Sequence, residues 1–214
     1  MWVMAFNSSI RVLVAGALAL VAGVASAMAE PVRIVAFGDS LMAGYQLNPG
    51  ESFPERLEEV LKARGHDVVI ANAGVSGDTT SAGLARLDWS VPDDTQLVIL
   101  GLGANDMLRG VDPDVTERNL TQMMERLEAR DIDVMLMGML AAPNLGASYG
   151  TRFNGIYPGL ASRFDVELYP FFLDGVTTVS GMTLDDRMHP SAAGVDRMVE
   201  GVLPMVEAYI EAQG

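Results

Sequence analysis

Residues 32–40 read VRIVAFGDS, a run of apolar and β-branched residues that ends in a Gly-Asp-Ser turn. A short, largely apolar run bounded by turn residues is typical of a buried strand. Strands of this kind that alternate with helices along the chain indicate a parallel sheet with helices on both faces. This stretch therefore predicts a parallel α/β fold with a polar turn, carrying Ser40, at the carboxyl end of its first strand.

The rest of the chain repeats this alternation of strands and helices. Further strands are predicted at residues 68–71, 97–100, 134–137 and, as a short edge strand, 166–169. Helices are predicted at residues 53–61, 84–89, 115–130, 155–163 and 195–210, the last one kinked or restarted near Pro204. The pattern predicts a three-layer α/β/α domain of about five parallel strands, in which ligands bind beyond the carboxyl ends of the strands.

The first 29 residues differ in composition from the rest. Arg11 is their only charged residue, an apolar run covers residues 12–25, and small residues surround Ala27 and Ala29. This order is typical of a secretory signal peptide, and the run is short for a membrane span, which needs about 20 apolar residues. We predict cleavage after Ala27 or Ala29, which leaves residues 30–214 as one exported domain, periplasmic or secreted; a retained anchor is the alternative.

Composition narrows the function classes. The 214 residues are 50% hydrophobic and 20% charged, with a formal net charge of −14 and no cysteine. A chain this acidic repels nucleic acid, and no stretch after the N-terminal run is long and apolar enough for stable membrane insertion. The absence of cysteine excludes a thiol nucleophile and cysteine-based metal sites, and no metal site is predicted.

Three polar turns follow the first three predicted strands and should open on one edge of the sheet. They are Gly-Asp-Ser at 38–40, Asn-Ala-Gly-Val-Ser-Gly-Asp at 72–78 and Gly-Leu-Gly-Ala-Asn-Asp at 101–106. Because the carboxyl ends of parallel strands meet at one edge, Ser40, Gly74 and Asn105 are expected in one cleft.

A serine nucleophile needs a base, and the chain has two histidines. His66 follows a helix stop and fits a surface turn. His189 lies in the segment DDRMHP just before the last helix, and an aspartate three residues earlier can reach back to its ring. We therefore predict Ser40 as nucleophile, His189 as base and Asp186 as its orienting carboxylate, with Asp185 as the alternative.

The tetrahedral oxyanion of acyl transfer needs preorganised donors, for which Gly74 offers a backbone N–H and Asn105 a side-chain amide. Each motif alone has a common structural explanation, as a turn, a cap or a positive-φ glycine. Their joint occurrence at successive strand ends favours catalysis. Two other motifs are absent, because Asp106 replaces the third glycine of a dinucleotide fingerprint and Met42 replaces the second glycine of an α/β-hydrolase elbow.

These blocks resemble those of the SGNH (GDSL-type) hydrolase superfamily over essentially the whole chain after the N-terminal run. Ser40, Gly74, Asn105 and the Asp186–His189 pair match its four blocks, and the likeness is greatest to its periplasmic acyl-CoA thioesterase, lysophospholipase and arylesterase branch. The resemblance implies a flavodoxin-like fold, hydrolysis of small-molecule esters and thioesters through an acyl-enzyme, and no cofactor. It also implies that the backbone N–H of Ser40 is a third oxyanion donor.

Apolar residues near the predicted catalytic edge are candidates for an acyl groove: Leu41, Val75, Met107, Leu108, Leu140 and Leu145. Two other functions stay open. A carbohydrate O-deacetylase would use the same chemistry but needs an aromatic rim, for which Trp89 and a few tyrosines are the available residues. A non-catalytic exported binding domain would have no need of Ser40, Asp186 and His189 together.

Overall fold

Five parallel strands form the centre of the computed structural model, which describes residues 30–213. The strands are β1 (Val32–Gly38), β2 (Val68–Gly74), β3 (Leu97–Gly101), β4 (Asp133–Met137) and β5 (Glu167–Tyr169). Their order across the sheet is β2-β1-β3-β4-β5, so the winding direction reverses at β1. The prediction of about five parallel strands is confirmed, and the predicted signal peptide lies outside the described residues.

Helices cover both faces of this sheet. They are α1 (Ser40–Ala43), α2 (Phe53–Ala63), α3 (Thr80–Ser90), α4 (Ala104–Leu108), α5 (Pro113–Glu128), α6 (Ala147–Phe164) and α7 (Ala192–Gln213). α2 packs against α7, while α3, α5 and α6 pack side by side. This is the predicted three-layer α/β/α arrangement. No helix among residues 30–213 is long and apolar enough to cross a bilayer.

The first three strands end level with one another. Gly38 at the end of β1 pairs with Gly74 of β2 and with Gly101 of β3. A Cβ at Gly38 would lie 2.5 Å from the Gly101 carbonyl oxygen, so the strand ends approach more closely than side chains would allow. The three turns that follow therefore begin at the same height on one edge.

The helices differ from the prediction in several places, of which three are informative. α1 is only four residues long, too short to show a hydropathy period, and was not predicted. α6 begins at Ala147. The sequence predicted a start near residue 155, because glycines and polar residues mask the helical periodicity before that point. α7 is continuous from Ala192 to Gln213 and contains Pro204, so a restart near Pro204 was wrong. Packing of its apolar stripe, including Met198 and Val202, outweighs the lost hydrogen bond.

Candidate active site

Ser40 lies at the start of α1, directly after β1. The Asp39 side chain caps this helix by accepting the Leu41 N–H at 3.0 Å, and Gly44 ends it with a φ of 76°. A Cβ at Gly44 would lie 2.7 Å from Cβ of Ser52, which leaves no room for a side chain there. Ser40 is therefore held at the end of a sharp strand-to-helix turn, with its hydroxyl in a cleft.

His189 and Asp186 reach Ser40 from the loop before α7. The Nε2 atom of His189 lies 3.0 Å from Oγ of Ser40, and its Nδ1 lies 2.6 Å from Oδ2 of Asp186. The other carboxylate oxygen, Oδ1, accepts the backbone N–H groups of Met188 and His189. These two hydrogen bonds, with a smaller contribution from the imidazole, lower the pKa of Asp186 from 3.8 to about 2. The structure thus brings Ser40, His189 and Asp186 into one chain of contacts.

The two alternative residues lie elsewhere. Asp185 is exposed and has no recorded contact with the His189 ring. His66 sits beyond the carboxyl end of α2 with its Nε2 atom 3.4 Å from Glu207 of α7, and it does not line the Ser40 cleft.

The Tyr45 ring packs against the imidazole of His189, with 4.4 Å between ring centroids. This contact covers one side of the imidazole and limits its rotation. Tyr45 was not predicted, because a tyrosine five residues after the nucleophile carries no recognisable signal until the chain has folded.

Asn105 lies on α4 and points towards the nucleophile turn. Its Nδ2 atom donates to Oδ2 of Asp39 at 3.2 Å. Burial raises the pKa of Asp39 from 3.8 to about 6, although the hydrogen bonds from Leu41 and Asn105 oppose this rise. The amide of Asn105 is therefore oriented by the residue that caps the helix of Ser40.

The neighbouring Asp106 anchors α4 from below. Its buried carboxylate accepts hydrogen bonds from the backbone N–H of Thr80 at 2.8 Å and from the hydroxyls of Thr80 and Thr116. It ties α4 to α3 and α5 at once, which holds Asn105 in place.

Gly74 has a different environment from the one predicted for a free donor. Its N–H donates to Oδ1 of Asn72 at 2.9 Å, and a Cβ at this position would lie 2.3 Å from the backbone nitrogen of Ala43. Close packing of β2 against α1 accounts for the glycine. Its role as an oxyanion donor stays a prediction, and it would require the Asn72 side chain to turn away.

Gly77 is a second glycine in the same connection, and sequence analysis did not single it out. It has a φ of 87° in the turn from Val75 to Asp78, and Arg109 holds its carbonyl oxygen at 2.7 Å. The Gly77 N–H has no hydrogen-bond acceptor among residues 30–213. The available signal was the turn-forming sequence Ser-Gly-Asp at 76–78.

Arg86 fastens the nucleophile turn to this connection. Its guanidinium donates to the Gly38 carbonyl at 2.8 Å and to Asp78 at 2.6 Å, and it lies 4.1 Å from the centroid of the Phe37 ring. One buried side chain thus holds the loops after β1 and β2 together.

A largely apolar cleft of about 480 Å³ opens beside Ser40 and His189. Four of the six predicted groove residues line it, namely Leu41, Met107, Leu108 and Leu140. Val75 and Leu145 do not line it. Residues that were not predicted also line it, among them Met139, Pro143, Phe171, Leu173 and Met188.

Other features of the described part of the chain offer less chemistry. A groove of about 600 Å³ at the opposite edge of the sheet, lined by Asp133 and Tyr209 among others, has no serine or histidine in its wall. Within residues 30–213, no three His, Asp or Glu side chains lie together in a way that could hold a metal ion.

Known proteins resemble this chain over most of its length. Residues 36–197 match the model of the GDSL-like Lipase/Acylhydrolase family. The chain is 42% identical to an arylesterase of Vibrio mimicus over 162 residues, which is 74% of this chain and 80% of that protein. It is 34% identical to thioesterase 1/protease 1/lysophospholipase L1 of Escherichia coli K12 over 178 residues, 81% and 84% of the two chains.

A solved structure is similar to most of this chain. The SGNH-hydrolase family esterase AlinE4 superposes with a TM-score of 0.72 at 47% identity, covering 85% of this chain and 98% of that one. The family match runs from the end of β1 to the first turns of α7, and the relatives are similar over most of their own length. The chain is therefore an ester-hydrolysing enzyme that belongs to the GDSL-like lipase/acylhydrolase family.

Proposed function

We propose that this enzyme hydrolyses carboxylic esters and thioesters through an acyl-enzyme formed on Ser40. The observation that carries the proposal is the continuous contact from Asp186 through His189 to Ser40, with separations of 2.6 and 3.0 Å, at the mouth of an apolar cleft. The names of the relatives, an arylesterase and a thioesterase, support the same substrate classes.

The chemistry follows from these positions. With Nδ1 of His189 donating to Asp186, its Nε2 accepts the proton as Oγ of Ser40 attacks the carbonyl carbon. The protonated imidazole then gives this proton to the departing alcohol or thiol, which leaves an ester between Ser40 and the acyl group. Water attacks this ester with the same base, and release of the carboxylic acid restores Ser40.

The developing oxyanion would be stabilised by donors on three loops. Ser40 occupies the first position of α1, where the backbone N–H has no acceptor within the helix. Asn105 contributes its side-chain amide, oriented by Asp39. From the connection after β2, Gly74 is the donor that the sequence predicts, and Gly77 is the alternative because its N–H is not engaged within the described residues.

Asn105→Ala tests the side-chain donor. We expect kcat to fall about 10²–10³-fold with a much smaller change in KM, because a preorganised donor acts on the oxyanion and much less on the ground-state carbonyl. A loss confined to KM would instead make Asn105 a residue that binds the ground state.

Covalent labelling tests the nucleophile. A fluorophosphonate should add once to the wild-type enzyme, and peptide mass spectrometry should locate the adduct on Ser40. Ser40→Ala should neither react nor turn over, while Ser76→Ala, a matched change in a neighbouring loop, should still be labelled. Labelling at Ser76, or turnover by Ser40→Ala, would exclude the proposed mechanism.

The acyl range of the enzyme can be measured directly. We expect activity across p-nitrophenyl esters from acetate to longer chains, and with an acyl-CoA and a lysophospholipid, because the cleft walls are apolar. Activity should be insensitive to EDTA, since the proposed mechanism uses no metal. Absence of turnover with every substrate would favour a binding domain.

A carbohydrate O-deacetylase is less well supported. Trp89, the aromatic residue proposed for a sugar-binding rim, lies near the end of α3 and does not line the cleft. The cleft wall contains Phe171 as its aromatic residue and otherwise presents mainly aliphatic and methionine side chains.

We also infer that residues 1–29 direct export and that the enzyme acts in the periplasm or outside the cell. The support is the charged start, apolar middle and small-residue exit of this segment. N-terminal sequencing of the exported protein should begin at Met28 or Glu30, and an uncleaved N-terminus would favour the anchor.

A further inference from the structure

Arg187 is the one lysine, arginine, aspartate or glutamate among the described residues that line the cleft beside Ser40. It is exposed, and within residues 30–213 its guanidinium has no recorded salt bridge or hydrogen bond. The formal charge of the chain is −14, and most of the other arginines in residues 30–213 form ion pairs with carboxylates. An unpaired guanidinium at the mouth of an apolar cleft is therefore a local site for negative charge.

The backbone at Arg187 adds a second observation. Its φ is 58°, in the left-handed region that costs a non-glycine residue roughly 1–2 kcal/mol. The loop imposes this conformation through its hydrogen bonds. Arg187 donates its N–H to the Leu184 carbonyl, and Asp186 accepts the N–H groups of Met188 and His189. Glycine would adopt it without strain, so the shape of the loop does not account for an arginine here.

Two grooves meet at this side chain. The apolar cleft is built from residues 104–108, 139–143 and 171–173, whereas a second groove of about 520 Å³ has hydroxyl groups in its wall. Arg187 and Thr177 line both grooves. The polar members of the second groove are Thr177, Thr178, Ser180, Thr183, Asp185 and Arg187.

The proposed mechanism distinguishes the two sides. The acyl chain fits the apolar cleft, and the leaving group departs on the side of His189, which must give it a proton. Ser40 and His189 both line the apolar cleft, and Arg187 and Thr177 continue its wall into the hydroxyl-rich groove. When the acyl chain fills the apolar cleft, the hydroxyl-rich groove is the adjoining space. That groove is therefore placed to receive the alcohol or thiol portion of the substrate.

We propose that the hydroxyl-rich groove is a leaving-group subsite and that Arg187 binds one anionic group there. This inference rests on the proposed action of Ser40. The preferred substrates are esters or thioesters whose alcohol or thiol portion carries a single phosphate, sulfonate or carboxylate near the ester bond. Asp185 lines the same groove, and its carboxylate disfavours ligands with several negative charges.

The test compares two substrates that differ in the charge of the leaving group. 4-(Butyryloxy)benzenesulfonate is anionic, and its N,N-dimethylsulfonamide analogue is neutral with a similar electron-withdrawing substituent. We expect Arg187→Gln to lower the ratio of kcat/KM for the anionic over the neutral ester about tenfold, the effect of losing one charge-assisted hydrogen bond. The change should lie mainly in KM, and Arg187→Lys should restore part of it.

Arg163→Gln is the charge-matched control. Arg163 pairs with Glu125 on the surface, and neither residue lines the cleft. Its substrate ratio should equal that of the wild type. An unchanged ratio in Arg187→Gln would overturn the subsite. The subsite would also be overturned if Arg187→Gln had a larger effect on an ester whose butyrate-length acyl group carries a terminal carboxylate. That result would place Arg187 on the acyl side. Failure of the wild type to hydrolyse either ester would instead reject the proposed function.

Discussion

Asp186 combines two tasks within one carboxylate. One oxygen contacts the imidazole of His189, and the other accepts two backbone N–H groups of the loop that carries this histidine. The same hydrogen bonds lower the pKa of Asp186 to about 2, so its carboxylate stays ionised near neutral pH. A single side chain thus shapes the loop and orients the base.

Replacing each acidic residue of the pair distinguishes their roles. Asp186→Asn keeps an acceptor for the backbone but offers His189 a donor, which stabilises the wrong tautomer; in a serine protease the equivalent change costs about 10⁴ in kcat. We expect a fall of about 10³ for Asp186→Asn and of less than about tenfold for Asp185→Asn. Kinetics on one neutral ester, with circular dichroism of both variants, gives the comparison. A larger loss for Asp185→Asn would reverse the assignment.

Asp39 makes stability depend on pH in a defined direction. Burial raises its pKa from 3.8 to about 6, so the native state binds more protons than the unfolded state between these values. The contribution of Asp39 to the free energy of unfolding is therefore present at pH 4 and is lost as the pH rises through 6, by about 3 kcal/mol at 1.4 kcal/mol per pKa unit.

Urea unfolding of the wild type and Asp39→Asn from pH 4 to 7 measures this effect. The stability of the wild type relative to the variant should decrease with rising pH. Asp185→Asn, a change at an exposed carboxylate, should show a much smaller trend. A constant difference between wild type and Asp39→Asn would mean that Asp39 has an ordinary pKa.

At the scale of secondary-structure elements, glycines set how closely β1, β2, β3 and α1 approach. Gly38 and Gly74 pair across the sheet, and each would place a Cβ within 2.5 Å of backbone or side-chain atoms of a neighbouring element. α1 can therefore sit directly on the strand ends. This close approach brings the start of α1, with Ser40, to the common edge of the sheet.

Gly74→Ala should destabilise the fold by about 2 kcal/mol, since the new methyl group meets the backbone of Ala43 and cannot be relieved by a side-chain rotation. Gly155→Ala is the matched control on α6, where nothing lies within 4 Å of the added methyl. It should stabilise the helix by about 1 kcal/mol. Urea denaturation reports both signs, and an unaffected Gly74→Ala would show that α1 can move away.

At the scale of the whole molecule, the strand order creates the site. β2 lies on one side of β1 in the sheet, and β3 and β4 lie on the other. The connections that follow β1 and β3 therefore diverge and leave a crevice. Ser40 and Asn105 lie on these two connections. The loop before α7 then brings His189 over the crevice from a distant part of the chain.

The net charge of −14 is a property of the whole chain and predicts a salt effect. Repulsion among carboxylates destabilises the compact state, and salt screens it over a Debye length of about 10 Å at 0.1 M. We expect the melting temperature to rise by a few degrees, roughly, from 10 to 300 mM KCl, and by a similar amount in NaCl. A falling melting temperature would show that attractive ion pairs dominate.

The sequence alone determined the fold class and the residues to which chemistry was assigned. Short continuous apolar runs bounded by turn residues, and apolar stripes of period 3.6, are local features, so the parallel α/β sheet could be predicted from them, and it is confirmed. Strand ends are local too, which is why Ser40 and Asn105 could be placed at one edge. The spacing of Asp186 and His189 predicted the contact that the structure contains.

Only the tertiary structure decided which groups are available in the folded site. The Gly74 amide is engaged by Asn72, and Val75 and Leu145 do not line the cleft. Arg187 lines both grooves and is unpaired within residues 30–213. These facts depend on side-chain directions and on contacts between segments far apart in the chain. Hydropathy and spacing carry no information about either, because both arise when the loops after β1, β2 and β3 and before α7 pack against one another.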